Sequence, residues 1–156
     1  EIFMITQQNK KGFTIIEVVL VLAIAGLIFL MVFVALPALQ RGQRDSQRRS
    51  DMSRFMSQIN SYQTNNNGKV PAATPDSMNK FLDNYMKRGS GEFVDPQSGS
   101  NYTVKFNGTP STSEVVYATQ KKCDGENFAS ADGKHRAVAV RIQLEGSGIF
   151  CQDNQD

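Results

Sequence analysis

An uncharged, strongly apolar stretch of 22 residues, Val18 to Leu39, constrains this chain more than any other feature of its sequence. At the helical rise of about 1.5 Å per residue, a helix of that length matches the hydrocarbon thickness of a lipid bilayer. A secretory signal peptide is the competing interpretation, but the run is longer than a usual signal core and no small-x-small cleavage site closes it. We therefore predict one membrane-spanning helix near the N-terminus, which continues into the following polar sequence.

Glu17 stands immediately before this apolar stretch. A carboxylate at the end of a membrane-length helix costs on the order of a few kcal/mol unless it is paired, protonated or held at the interface. Acidic residues in such positions usually serve a function, so Glu17 is a candidate functional residue. The alternative is that Glu17 simply lies among the lipid headgroups.

The residues around Glu17 resemble a known export signal. Lys10-Lys11-Gly12 precedes Phe13-Thr14-Ile15-Ile16-Glu17, and the apolar helix that follows contains Gly26 and Pro37. This arrangement resembles the class III signal of type IV pilins and pseudopilins. The resemblance implies that residues 1–12 are a cytoplasmic leader, that a prepilin peptidase cuts between Gly12 and Phe13, and that the new amino group of Phe13 is methylated. The first residue is Glu1 rather than methionine, which is compatible with a longer leader.

The resemblance also implies how copies of the chain assemble. Glu17 would meet the N-terminal amine of a neighbouring subunit, and such a pair satisfies two charges in apolar surroundings and fixes the register between subunits. Gly26 and Pro37 are the two weak points of the helix and are expected to give it flexibility. Pro37 lies about one helical turn later than the proline that the family leads us to expect.

The sequence beyond the apolar helix is long enough for one small domain of about 90 to 110 residues. The net charge is +2 for the whole chain, and removal of Glu1, Lys10 and Lys11 with the leader leaves fifteen basic and fourteen acidic residues, hence +1. Dedicated nucleic-acid binders normally carry a clear basic excess. This balance argues against such a role, and no direct nucleic-acid site is evident in the sequence.

Charges on the two sides of the apolar helix give a conflicting indication of topology. Two lysines precede the helix and four arginines follow it, at positions 41, 44, 48 and 49, so the positive-inside rule would leave the head in the cytoplasm. Asp45 and Asp51 lie among those arginines, and the leader resemblance implies the opposite orientation. We therefore expect the head to lie outside the cytoplasmic membrane.

Two cysteines bear on the same question. A bridge between Cys123 and Cys151 would close a loop of 29 residues, counted inclusively. It would stabilise the head by roughly 3 to 4 kcal/mol in the chain-entropy model. Two buried free thiols are the alternative. The even number of cysteines and an oxidising exterior favour the disulfide.

Periodicity predicts an α+β head over residues 41–156. An amphipathic helix over 41–66 has an apolar stripe at spacings of three and four, and its arginines are expected to be solvated or to contact other subunits. A loop with one short helix follows over 67–100, beginning near Thr74-Pro75-Asp76. An antiparallel sheet of about four successive strands is predicted over 101–152: Tyr102–Phe106, Glu114–Thr119, Ala137–Leu144 and Gly148–Gln152. The order of a long N-terminal helix packed on a C-terminal antiparallel sheet is similar to the pilin fold.

Chemistry-bearing clusters are absent from the sequence. His135 has no cysteine or acidic cluster at metal-ligand spacing, and the serines show no triad pattern. The acidic turns Asp124-Gly125-Glu126-Asn127 and Asp132-Gly133 do not match a known calcium loop. We therefore predict no enzyme, no cofactor and no bound metal.

These features together predict a structural subunit. The resemblance implies a type IV pilin that waits in the cytoplasmic membrane and then polymerises with copies of itself into an extracellular helical filament for twitching motility, adhesion or DNA uptake. Its partners would be the prepilin peptidase, an assembly platform and motor ATPases. The alternatives are a pseudopilin or minor pilin of a secretion or competence system, a membrane-tethered surface-binding module, and a membrane-anchored enzyme. The lack of a convergent catalytic constellation disfavours the enzyme.

Overall fold

The computed structural model describes residues 12–146 and 148–155, so the expected leader, apart from Gly12, lies outside the described residues. The chain divides into two compact units, Glu1–Leu39 and Gln40–Asp156. One helix, α1, runs from Ile15 to Asn65 and contributes to both units.

The C-terminal end of α1 is set by its cap. Asn67 and Gly68 have positive φ angles of 55° and 78°, and the Gly68 N–H donates to the Gln63 carbonyl at 2.7 Å. The bond joins an N–H to the carbonyl five residues earlier, which is characteristic of the Schellman motif. In this motif, asparagine or glycine takes the left-handed position. The run of asparagines therefore ends the helix where the sequence predicts.

A second helix, α2, spans Pro75–Asn84, with proline in its first turn. Proline is well tolerated there because its missing N–H would be unpaired in any case. Met78, Phe81 and Leu82 are buried on one face of α2. The short helix predicted after Thr74 is confirmed.

Six strands follow α2. They are β1 (Thr103–Lys105), β2 (Glu114–Thr119), β3 (Lys121–Asp124), β4 (Asn127–Ser130), β5 (Val138–Gln143) and β6 (Ile149–Asp153). Strands β1, β2, β5 and β6 form a four-stranded sheet in the order β1-β2-β5-β6, and β3 pairs with β4 in a separate two-stranded sheet. The α+β class is confirmed.

The prediction of a wholly antiparallel sheet is wrong at one edge. Strand β1 is parallel to β2, with Thr103 opposite Glu114. The Thr103 N–H donates to the Ser113 carbonyl at 3.0 Å, so the connection after β1 returns the chain to the start of that strand before β2 begins. Three strand residues span only about 10 Å, a distance that this short connection covers easily.

The β3–β4 hairpin is the second difference from the predicted sheet. Its strands contain Lys121, Lys122, Asp124 and Asn127, so they lack the alternating apolar residues that indicate a strand. Gly125 begins the two-residue loop with a φ of 60°, which suits the turns that close tight hairpins. Gly125 is the one signal for a hairpin in this segment, where the sequence pattern alone predicts an acidic turn.

Strands β5 and β6 form the predicted hairpin. They are antiparallel, and the Leu144 N–H donates to the Gly148 carbonyl at 2.9 Å. The predicted connection from Glu145 to Gly148 includes Ser147, which lies outside the described residues.

The core of the head lies between α1, α2 and one face of the four-stranded sheet. Phe55 is fully buried, and its ring contacts those of Phe81, Phe93 and Tyr117 at centroid distances of 5.3, 5.8 and 6.2 Å. The rest of the α1 stripe, including Met52 and Ile59, is also buried. The amphipathic part of α1 therefore packs on its own head domain.

Candidate functional site

Thr14 and Glu17 form a reciprocal cap at the start of α1. The Thr14 backbone N–H and hydroxyl both donate to Oε2 of Glu17 at 2.8 Å, and the Glu17 N–H lies 3.4 Å from the Thr14 hydroxyl oxygen. This is the capping-box arrangement, in which threonine at the cap and glutamate three residues later satisfy each other's backbone donors. In the single chain, Glu17 therefore has local hydrogen-bond partners although its side chain is exposed.

The apolar part of α1 is exposed along its whole length. Phe13 is 90% exposed and Ile15 85%, and the large apolar side chains as far as Leu39 remain accessible. Contiguous apolar surface of this extent on a soluble chain would promote association, so it indicates contact with lipid or with other proteins. Within the described residues, α1 is the one helix long and apolar enough to cross a membrane.

The predicted flexible positions both lie inside this helix. Gly26 has open space where a Cβ would be, and Pro37 sits within the continuous helix. Small residues let helix backbones approach closely, so the surface around Gly26 suits packing against a second helix. That Gly26 and Pro37 make the helix flexible stays a prediction. Cleavage after Gly12 and methylation of Phe13 also stay predictions.

Residues 7–33 match the family model described as the prokaryotic N-terminal methylation motif. The chain carries the class III leader of type IV pilins. This leader indicates prepilin processing, and together with the exposed apolar helix it indicates anchoring in a membrane. Comparison of the whole chain with curated proteins and with solved structures found no match.

The predicted disulfide is confirmed in the head. Cys123 and Cys151 are bonded, with their Cα atoms 5.8 Å apart, and the bond joins β3 to β6. Asp153 supports the same junction by accepting the Cys123 N–H. The disulfide thus fastens the β3–β4 hairpin to the edge of the four-stranded sheet.

Arg48 is the centre of a buried ionic cluster that the sequence did not indicate. Its guanidinium is fully buried and lies 2.6 Å from Asp95, 2.7 Å from Glu145 and 3.2 Å from Asp45. It also donates to the Thr112 carbonyl at 3.1 Å. The expectation that the arginines of this helix face solvent or other subunits is therefore wrong for Arg48.

A second arginine and several backbone groups complete this cluster. Arg44 makes a two-pronged contact with Glu145, at 2.8 Å from Nε and 2.5 Å from Nη2. Asp45 accepts the N–H groups of Glu145 and Gly146, each at 2.8 Å. Hydrogen bonds from Arg44, and then from Arg48, lower the pKa of Glu145 to about 2. The cluster fixes the β5–β6 connection on α1.

The remaining candidate residues do not converge on a site. His135 is exposed, and its Nδ1 lies 3.3 Å from the side-chain nitrogen of Gln120. Within residues 12–146 and 148–155, no group of three or more histidine, cysteine, aspartate or glutamate side chains could hold a metal ion. The motif and the exposed helix are thus the features that carry functional information.

Proposed function

We propose that this chain is a structural, non-enzymatic subunit of a type IV filament, anchored in the cytoplasmic membrane by α1 until it is extracted into the filament. The observation that carries the proposal is the match of residues 7–33 to the N-terminal methylation motif on an exposed apolar helix. Cleavage after Gly12 would create a positive amine on Phe13. The filament would then carry the head on its outside, in the extracellular space.

Exchange of partners is the physical basis of this assembly. Lipid around the apolar helix is replaced by neighbouring helices, whose packing is closest at small residues such as Ala23 and Gly26. Glu17 exchanges its local bonds with Thr14 for the amine of a neighbouring subunit, which fixes how far each subunit rises past the last. Repetition of one such head-to-tail contact gives an open helix rather than a closed ring.

Two substitutions separate the charge of Glu17 from its capping role. Glutamine also serves in a capping box, so Glu17→Gln retains the cap while it removes the charge. Thr14→Val removes the capping hydroxyl and leaves the charge. We expect filaments from cells that express Thr14→Val and none from cells that express Glu17→Gln, measured as protein in the sheared surface fraction. Normal filaments from Glu17→Gln would contradict charge pairing.

Mass spectrometry of the N-terminal peptide tests processing in the same sheared fraction. A peptide that begins at methylated Phe13 would establish cleavage, export and polymerisation together. A chain that retains residues 1–12 and stays in the membrane would overturn the proposal in favour of a tethered surface-binding module. A processed chain found only in trace amounts would instead indicate a minor pilin or a pseudopilin, since these proteins carry the same motif.

A further inference from the structure

Two asparagine–glycine pairs in the head differ in how the structure holds them. Asn67-Gly68 forms the cap of α1, and Asn107-Gly108 lies in the connection between β1 and β2. Asparagine followed by glycine is the dipeptide most prone to spontaneous loss of the side-chain amide, because glycine has no side chain to shield its backbone nitrogen. The same dipeptide in two environments separates the effect of the structure on this chemistry from the effect of the sequence.

The reaction begins at the backbone nitrogen of the glycine. This nitrogen loses its proton to the solvent and attacks Cγ of the asparagine, so that a new C–N bond forms and the bond from Cγ to Nδ2 breaks. Nδ2 takes up a proton from the solvent and leaves as ammonia. Water then adds to either carbonyl carbon of the cyclic succinimide and breaks the bond from that carbon to the nitrogen, which yields aspartate or isoaspartate. The reaction therefore needs a free glycine N–H and an asparagine that can turn towards it.

The Asn107-Gly108 pair meets both requirements. Its two residues are exposed, and no described residue accepts the Gly108 N–H. Apart from its chain neighbours, no heavy atom of the described residues lies within 4 Å of the place that a Cβ of Gly108 would occupy. The Asn107 side chain makes no hydrogen bond to another described residue. The nitrogen and the side chain that must meet are thus accessible and unrestrained by hydrogen bonds.

The Asn67-Gly68 pair has an exposed asparagine but no free nitrogen. The Gly68 N–H donates to the Gln63 carbonyl at 2.7 Å as part of the helix cap. The Arg136 guanidinium covers Gly68, where an added Cβ would lie 2.5 Å from Cζ. The cap also holds Asn67 in the left-handed conformation, with a φ of 55°. Reaction at this pair therefore requires a local opening that breaks the cap.

A carboxylate formed at residue 107 would arise beside a cation that has no carboxylate partner. Arg141 donates to the Gly108 carbonyl at 3.2 Å and to the Glu126 carbonyl at 3.3 Å. Within the described residues, no carboxylate lies within ion-pair distance of its guanidinium. Each conversion replaces a neutral amide by a negative charge, so the formal net charge of the chain falls from +2 to +1. Without residues 1–12, fifteen basic and fourteen acidic residues become fifteen of each, so the net charge falls from +1 to 0.

We propose that Asn107 is a site of spontaneous deamidation in the folded head, and that the helix cap protects Asn67 from the same reaction. The charge of the head then changes with the age of the molecule, without a modifying enzyme. The inference goes beyond the proposed function because it requires only the folded head. Its failure would leave filament assembly unaffected, since deamidation and assembly are measured separately.

The test follows both asparagines in one sample of the full chain, purified in a non-ionic detergent and incubated at neutral pH. Samples are digested under mildly acidic conditions, which suppress further reaction, and mass spectrometry measures the deamidated fraction of each asparagine peptide. The same chain, reduced and unfolded in guanidinium chloride, gives the two rates without structure. In the folded chain, Asn107 should react at close to its unfolded rate. Asn67 should react at least about tenfold more slowly than when unfolded, a factor that corresponds to about 1.4 kcal/mol of local opening.

Two variants assign the change of charge to one residue. Asn107→Gln should prevent it, because the longer glutamine side chain cyclises far more slowly. Asn67→Gly is the matched control, since glycine accepts the left-handed conformation and keeps the cap. Isoelectric focusing of the aged folded chains should show acidic species in the unmodified protein and in Asn67→Gly, and none in Asn107→Gln.

Two results would overturn the proposal. One is a folded rate at Asn107 that lies as far below its unfolded rate as the folded rate at Asn67 does, which would mean that the structure does not distinguish the two pairs. The other is an equal amount of acidic species in Asn107→Gln, which would assign the change of charge to a different residue.

Discussion

Arg48 places a positive charge in the interior of the head, where none of its side chain is accessible to solvent. Removing a charge from water costs several kcal/mol, and only well-placed opposite charges and hydrogen bonds offset that cost. Asp45, Asp95 and Glu145 supply the charges, and the Thr112 carbonyl accepts a further bond. Asp95, Thr112 and Glu145 lie in three different connections outside α1, so the arginine fixes these three connections on its own helix.

Substitution of Arg48 should therefore destabilise the head strongly. We expect Arg48→Met to lower the free energy of unfolding by about 3 to 5 kcal/mol, because it leaves buried carboxylates without their partner. Arg54→Met is the matched control on the same helix, since Arg54 pairs with the half-exposed Glu92 and should contribute less than about 1 kcal/mol. Urea unfolding followed by the near-ultraviolet signal of the tyrosines measures both. Equal losses would contradict the special role of the cluster.

Acid should weaken the same cluster. The pKa of Glu145 is lowered to about 2 by Arg44 and Arg48, and that of Asp95 is also lowered, because hydrogen bonds from Arg48 and Ser98 outweigh the effect of burial. A lowered pKa contributes stability that is present above the ordinary value, near pH 4, and is lost as the pH falls through the folded value. Burial raises the pKa of Asp51, so its protonation partly opposes this loss.

The expected result is a free energy of unfolding that falls between about pH 4.5 and pH 2. Urea titrations at several pH values in this range measure the fall. Glu145→Gln removes the described carboxyl group whose pKa is lowered most, and the stability of this variant should depend less steeply on pH than that of the unmodified chain. An identical pH profile for the two proteins would show that Glu145 does not dominate the acid response.

Among the elements, the β3–β4 hairpin is held to the rest of the head by a few individual contacts. Its disulfide to β6 is one attachment, and the Arg141 guanidinium, 4.3 Å from the centre of the Phe128 ring, is another. Glu126 adds a third by accepting the Ile149 N–H at 3.2 Å. The noncovalent contacts remain when the disulfide is removed, so its loss should weaken the head without changing its fold.

Replacement of both cysteines by serine should lower the free energy of unfolding by roughly 3 to 4 kcal/mol, from the greater freedom of the unfolded chain. Unfolding of the double variant and of the reduced unmodified chain should agree, because both lack the same constraint. A far-ultraviolet spectrum like that of the unmodified chain would show the retained fold. A spectrum that loses its strand contribution would show instead that the disulfide is required for folding.

The elements that the sequence predicts correctly are those whose own residues carry the signal. Helix α2 has proline at its start and buried residues at helical spacing, and α1 ends at asparagines that favour the left-handed cap. The alternation of side chains in β1 does not indicate whether the strand is parallel or antiparallel to β2. The polar strand β3 has no alternating apolar residues from which a strand could be predicted. Arg48 meets partners 47 and 97 residues away, a pairing that no local pattern encodes.

The same distinction between local and long-range signals applies to the functional features. The capping pair Thr14 and Glu17 is only three residues apart, and the methylation motif is one contiguous segment, so both are readable from sequence. The buried ionic cluster around Arg48 is not readable, because its partners come from segments near residues 95, 112 and 145. A contiguous motif can be recognised from the sequence, whereas a cluster assembled from distant segments cannot.

At the scale of the whole molecule, the two units differ in how their apolar side chains are used. All the buried hydrophobic side chains of the described residues lie between Met52 and Leu144, whereas none of residues 12–39 is buried. Within the described part of the first unit, the apolar side chains therefore form no buried core of their own. Its apolar surface is available to lipid before assembly and to neighbouring helices afterwards, as the proposed function requires.

A chain that begins at Gln40 should therefore fold on its own as a soluble head. It retains the complete core, the disulfide and the Arg48 cluster, and its shortened helix is still held by tertiary packing. We expect a monomer with an intact disulfide and the near-ultraviolet tyrosine signal of the full chain in detergent. A chain that begins at Met52 keeps the core but loses Arg44, Asp45 and Arg48, which leaves Asp95 and Glu145 without their arginine partners. It should be less stable by several kcal/mol.

If the chain from Gln40 aggregates or lacks the tyrosine signal, the apolar helix contributes to folding as well as to anchoring. If both truncated chains are equally stable, the buried cluster does not hold the head together, and its role must lie in contacts that only the assembled filament makes.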